Sequence, residues 1–275
     1  MSGASSASPS AVARAPRHSV LGRPATWIYV VLVAASLFVV IPRLVSMAER
    51  PDYMCIAWMG ALIQAPALLL FGWLILPRRR SSVSAVALSI LIGATFCVGA
   101  ALLLVNTGAA LMVERFVGTP IIEEVVKTVA VVVVILVLRP WLRGPLDGLI
   151  IGFFVGFGFA IVENMLYAFD GGTPAGAWQL VIIRLVTQFG SHVIYTGIIG
   201  AGFAYAMVSR GPQRWIAPAA FAVGLGLHCA WDLPILWLDS LPYLGVTLVV
   251  YVLGIVVFIR VKRASAAIEQ RQNGA

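Results

Sequence analysis

The amino-acid sequence predicts an all-α polytopic membrane protein with eight transmembrane helices and both termini in the cytoplasm. Three observations carry that prediction. Hydrophobic residues make up 61% of the 275 and charged residues 11%, against about a quarter charged in soluble domains. Mean hydropathy is +0.98. The apolar residues fall into eight runs, each long enough at about 1.5 Å per residue to cross a hydrocarbon core of about 30 Å. So few charges could not cover a soluble surface, and disordered, collagenous, coiled-coil and disulfide-scaffold classes are excluded with the soluble one.

In chain order, residues 1–24 form a Ser/Ala/Pro-rich tail carrying Arg14, Arg17, His18 and Arg23, expected to be disordered and cytoplasmic. The apolar segments follow near 25–46, 54–76, 83–107, 119–138, 146–169, 178–207, 215–237 and 242–260. Ser46-Met47-Ala48 resembles a small-residue cleavage site. The apolar stretch from Trp27 to Ile41, however, is at the long limit for a signal-peptide core, so the first segment is read as a retained anchor. The membrane domain is placed at 25–263, and 264–275 is expected to be a cytoplasmic tail. In the fifth segment Gly148, Gly152 and Gly156 recur at four-residue spacing, a small-residue face that lets a neighbouring backbone come close.

The formal charge of +8 follows from the connections. Of 19 basic residues all but Lys127 and Lys262 are arginine, and most lie between the apolar runs. Arg78, Arg79 and Arg80, then Arg139 and Arg143, then Arg210 and Arg214, then Arg260, Lys262, Arg263 and Arg271 mark alternate connections and the C-terminus. The intervening connections are neutral or acidic: Arg43, Glu49, Arg50 and Asp52; Glu114 with Arg115; Asp170; Asp239. This is the positive-inside pattern and not a nucleic-acid surface, so the partner it points to is the lipid bilayer. Cys55, Cys97 and Cys229, odd in number and without local spacing, are expected to be buried small hydrophobes.

Eight ionisable groups remain inside the apolar runs: Glu123, Glu124, Lys127, Glu163, Arg184, His192, His228 and Asp232. Each costs about 2.5–3.5 kcal/mol at mid-span on insertion scales, which makes function the default reading and structural ion pairs the alternative. Topology places them in the middle-to-outer zone, with His192 about 21 Å along an inward-running sixth helix. Glu123 and Lys127 are i,i+4, as are His228 and Asp232, and Arg184, Gln188, His192 and Thr196 are expected to share one helical stripe. Two imidazoles and a carboxylate can hold a divalent metal with a position open for water. The assignment is Glu163, His192 and His228 as ligands, Asp232 as a fourth ligand or behind them, and Glu123 or Glu124 as general base. Zinc suits this donor set best. Lys127 is the charge partner, Arg184 anchors a carboxylate or the oxyanion, and Asn164, next to Glu163, is counted among the catalytic residues. Without metal, the same glutamate could activate water directly while the histidines stabilise the oxyanion. No HExxH occurs. A proton- or ion-coupled transporter and a non-catalytic scaffold are the rival classes; the polar residues sit only in helices four to seven, with no repeat of the kind a transporter leads one to expect.

The ordered set Glu123-Glu124-x-x-Lys127, Phe159-x-x-x-Glu163-Asn164, His192-x-x-x-Thr196 and His228-x-x-x-Asp232 resembles the PrsW family of intramembrane proteases, relatives of the CAAX prenyl proteases and bacteriocin-processing enzymes of the Abi group. The resemblance covers about 119–232. It implies peptide-bond hydrolysis in or near a bacterial plasma membrane, on an anti-sigma-factor-like substrate, with Glu123 and Glu124 as the family's glutamate pair and His192 and His228 as its histidines. Abi-group relatives generally carry His where this chain has Glu163, and Asn where it has Asp232; the more acidic set favours a bound cation.

Overall fold

The computed structural model describes residues 20–78, 82–106, 115–209, 213–232 and 240–274. The expected tail up to residue 19, with His18, together with Arg79, Arg80, Glu114, Arg210 and Asp239, lies outside the described residues. The regular elements among the described residues are all helices: α1 Pro24–Ala48, α2 Pro51–Ile75, α3 Val83–Ile92, α4 Val98–Asn106, α5 Arg115–Leu138, α6 Pro145–Tyr167, α7 Pro174–Thr187, α8 Ser191–Val208, α9 Ile216–Asp232 and α10 Ser240–Asn273. A π-helical turn, Gly93–Cys97, joins α3 to α4, and 3-10 turns follow α5 and α6. Proline at the first or second position of α1, α2, α6 and α7 starts those helices where its missing N–H costs nothing.

Among the described residues, six helical stretches are long and apolar enough to cross a membrane: α1, α2, α3 with α4, α6 with its terminal turn, α8 and α10. The chain is a multi-pass integral membrane protein. α5 has 24 residues but carries Glu123, Glu124 and Lys127 within its span. α9 has 17 residues, about 25 Å at the helical rise.

The run expected as one helix over 178–207 is two. α7 ends at Thr187, and Gly190 adopts φ +74° before α8 begins at Ser191. Glycine takes this left-handed conformation without a Cβ penalty. Arg184 and His192 therefore do not share a helical stripe; His192 sits in the first turn of α8, which replaces the depth estimated for an unbroken helix. The stretch expected as a C-terminal tail, 264–275, continues α10 as helix to Asn273. Cys97 is buried as expected, whereas Cys55 is exposed and Cys229 half-buried; all three are free thiols.

α6 and α8 are the centre of the bundle. Their membrane-length stretches are 67% and 78% buried, against 17% for α1 and 22% for α10. The glycine stripe explains their contact. A Cβ on Gly148 would collide with Gly200, on Gly152 with Thr196, and on Gly156 with His192, in each case at the backbone carbonyl oxygen. Each four-residue step along α6 is met by a four-residue step back along α8, so the two helices are antiparallel in close backbone contact. This register places His192 beside α6 in the half that ends at Tyr167.

Side chains tie the helix ends together. At one end Lys262 Nζ donates to Ile75 O at 2.6 Å, the Leu146 N–H donates to Glu269 Oε1 at 2.9 Å, and Arg23 Nη1 donates to Val137 O at 3.4 Å. Glu269 thus satisfies an orphan amide at the α6 N-terminus, where a carboxylate also complements the helix dipole. At the other end Tyr53 stacks on Phe169 at 5.7 Å and Met47 joins the same apolar cluster.

Candidate active site

All eight ionisable groups singled out in the sequence come together, from five helices. α5 supplies Glu123, Glu124 and Lys127; α6 supplies Glu163; α7 supplies Arg184; α8 supplies His192; α9 supplies His228 and Asp232. Around them is a cavity of about 190 Å³ lined by Thr119, Glu123, Glu163, Tyr167, Arg184, Gln188, Ser191, His192, His228, Trp231 and Asp232. It lies toward the α6 C-terminal end, the end marked by Tyr53 and Phe169.

The two adjacent glutamates of α5 have different surroundings. Glu124 is fully buried and does not line the cavity. Its Oε1 lies 2.7 Å from Lys127 Nζ and accepts from His228 Nδ1 at 2.9 Å. Because a carboxylate only accepts, the His228 proton is on Nδ1 and its Nε2 lone pair faces the cavity, 3.9 Å from Glu123 Oε2 and 3.8 Å from Asp232 Oδ2. Glu123 lines the cavity and meets Lys127 Nζ at 3.4 Å. Lys127 is itself fully buried, 4.3 Å from the Phe159 ring centroid, and donates to His192 Nδ1 at 3.1 Å. It acts from behind the cavity wall.

Glu163 has its own cation. Arg184 Nη2 donates to Glu163 Oε2 at 2.6 Å while Arg184 Nε donates to Asn164 Oδ1. The guanidinium also lies over Tyr167, 3.6 Å from its centroid, so three α6 side chains hold one arginine. Arg184 was expected to anchor a carboxylate or the oxyanion; the carboxylate it pairs with in the structure is Glu163. His192 Nε2 donates to the same Glu163 oxygen at 3.1 Å. Arg184→Met is expected to leave Glu163 buried without its partner and to cost about 3 kcal/mol of stability, measured as a fall in Tm in detergent. Arg184→Lys, which keeps the charge without the two-donor grip, should lose less.

Among the described residues, one set of three ligand-bearing groups has its ligand atoms within 4.8 Å of one another: Glu123, His192 and His228. Glu163 and Asp232, expected in the ligand set, border that trio without belonging to it. Charge also suits a cation. Four carboxylates (Glu123, Glu124, Glu163, Asp232) face two side-chain cations (Lys127, Arg184), a formal excess of two negative charges with both imidazoles neutral. One divalent ion would balance it in a setting where uncompensated charge is costly. Glu124 behind His228 is the carboxylate–imidazole pairing that orients metal-bound histidines.

Several residues of the site carry no charge and were not assigned roles by spacing alone. Phe159 packs edge-on to His192 at 5.1 Å, Tyr195 lies 5.7 Å from His228, and the two imidazoles meet edge to face at 5.1 Å. Tyr167 was open to discovery, since it is i+4 from Glu163 on the same face of α6. Trp231, also uncharged, lines the cavity between its sequence neighbours His228 and Asp232. Thr196 is buried against Gly152 and does not line the cavity.

Residues 54–261 match a family model described as PrsW family intramembrane metalloprotease. A curated relative named Protease PrsW, from Geobacillus kaustophilus (strain HTA426), is 29% identical over 119 residues, which is 43% of this chain and 50% of the relative. The chain therefore spans about half the length of the curated relative it matches. No solved structure matches.

Proposed function

The chain belongs to the PrsW family of intramembrane metalloproteases, and from that premise we propose that it hydrolyses a peptide bond of a membrane-anchored protein at the five-helix cavity. The observation that carries the reading is the gathering of Glu123, His192 and His228 within 4.8 Å at a small polar cavity inside an apolar bundle. The proposal includes eight crossings, α5 and α9 among them and α7–α8 together making one. It also includes cytoplasmic termini, supported by the alternation of arginine-rich connections, and a bacterial plasma membrane, supported by the bacterial source of the matched relative.

Glu123, His192 and His228 would hold a divalent ion, zinc by donor chemistry, and such an ion supplies a water that ionises near neutral pH. The remaining work belongs to the chain. Glu124 holds the His228 ring through Nδ1. Glu163 Oε2, at the cavity wall beside His192, receives the proton of the attacking water and returns it to the leaving amine. Arg184 keeps Glu163 aimed into the cavity and presents positive charge where the oxyanion develops. Lys127 holds Glu123 and Glu124 in their separate directions from its buried position.

A metal-free reading has one observation in its favour. Lys127 Nζ donates to His192 Nδ1, so the His192 proton is on Nε2 and is donated to Glu163, leaving that ring without a lone pair for an ion. In this reading Glu123 activates water directly. Elemental analysis separates the two. Purified wild type is expected to carry one divalent ion per chain and to lose reporter cleavage on chelation, with recovery on adding zinc. His228→Ala should abolish the bound ion. Full cleavage of a single-span reporter in proteoliposomes by a metal-free preparation would establish the glutamate mechanism instead.

A further inference from the structure

A second, larger cleft opens beside the polar cavity. It has a volume of about 640 Å³ and shares Thr119, Glu123, Glu163 and Tyr167 with that cavity, within the range of about 300–1,000 Å³ usual for ligand sites. Two helix faces form its walls. On α1 these are Val39, Pro42, Arg43 and Ser46; on α4, Val98, Ala101, Leu102 and Val105. Both sets follow i, i+3, i+4, i+7, one face of a helix each. Phe159 and Leu166 of α6 close the inner side. Polarity is graded along the cleft: the α4 wall is wholly apolar, whereas Arg43 and Ser46, toward the α1 C-terminus, and Asp170, just beyond α6, bring polar groups to one end.

We propose that this cleft seats the end of a substrate's transmembrane segment, its apolar residues between α1 and α4 and its first polar residues at Arg43, Ser46 and Asp170. The inference rests on the endopeptidase reading and names how the substrate is held. Three features fix the occupant as a chain that passes from apolar to polar. The cleft runs directly into the cavity at Glu123 and Glu163, so a backbone lying in it is delivered to the reacting groups. Its apolar wall suits side chains arriving from lipid. Its polar end matches the change in composition where a membrane span meets water. Specificity for such a segment is set by the wall residues Val98, Ala101 and Leu102, and not by the charged residues of the cavity.

The test uses the full chain in proteoliposomes with a photo-crosslinking amino acid, p-benzoylphenylalanine, at Leu102. The probe is a library of single-span reporters whose residues at the outer end of the span are randomised. The control places the crosslinker at Leu70, an exposed position on α2 that lines neither cleft. Reporter adducts from position 102 are expected to exceed those from position 70 by about tenfold, and Val98→Trp, which fills the cleft, should remove the difference. Equal adducts at the two positions, or adducts to phospholipid alone, would overturn the proposal. If the crosslinker at Leu102 prevents folding, judged by thermal unfolding, Val105 serves as the second position. Cleavage of the same library by unmodified protein is scored in parallel. Cleavage without position-102 adducts sinks the cleft and leaves the protease; adducts without cleavage support the cleft and sink the protease.

Discussion

Glu123→Gln is expected to reduce cleavage of a single-span reporter by about 10³-fold or more, while Glu124→Gln should lower metal affinity by about 10–100-fold and leave measurable turnover. The two residues are neighbours in sequence and chemically identical, so the contrast tests geometry alone. Glu123 lines the cavity, with Oε2 3.9 Å from His228 Nε2, and is either an ion's ligand or the acceptor of water's proton. Glu124 lies behind the histidine, with its Oε1 shared between Lys127 and His228 Nδ1. Glutamine at 124 can still accept from His228 through its carbonyl, so the ring stays oriented with a weaker partner. Glutamine at 123 offers no anionic oxygen to an ion or a proton. Equal losses for the two variants would reject the separation of roles.

The largest effect on helix packing is expected from Gly152→Ala. A single methyl there meets the Thr196 carbonyl oxygen and carbon and the Gly197 Cα, backbone atoms of α8 that cannot turn aside. Relief requires α6 and α8 to separate, and with them Glu163 from His192, which face each other at 3.1 Å. The cost is set at about 3 kcal/mol, the upper end for an overpacked site. It is read as a fall in Tm together with lost cleavage. Gly226→Ala is the matched control: its added Cβ has nothing within 4 Å. A Tm for Gly152→Ala equal to that control would refute the close contact of the two helices.

Much of the site was legible in advance because charges are so costly in an apolar run that those present stand out. His192 and His228 stood out that way, as did Arg184 and the four carboxylates; all but Glu124, which lies behind His228, line one cavity. The unbroken sixth helix was misread because apolar periodicity continues across Gln188–Gly190, and a lone glycine in a helical pattern does not announce a positive φ. The stretch 264–275, expected as a cytoplasmic tail, is helical to Asn273, and Glu269 within it accepts from the α6 N-terminus. That bond joins residues 123 apart in sequence, beyond the reach of any local pattern.

The sequence by itself determined an all-helical, multi-pass membrane protein with a polar set confined to 119–232. Hydrophobicity and the cost of buried charge are properties of residues, and they survive without coordinates. Only the tertiary structure decided where each charge lies and what it pairs with. Helical periodicity says that Glu123 and Glu124 point about 100° apart; it does not say which direction holds the cavity and which holds His228. That is settled by the packing of α9 against α5, and by the glycine-lined contact that sets α8 and His192 beside Glu163. The cleft beside them exists only because α1 and α4 present faces that line a space without filling it.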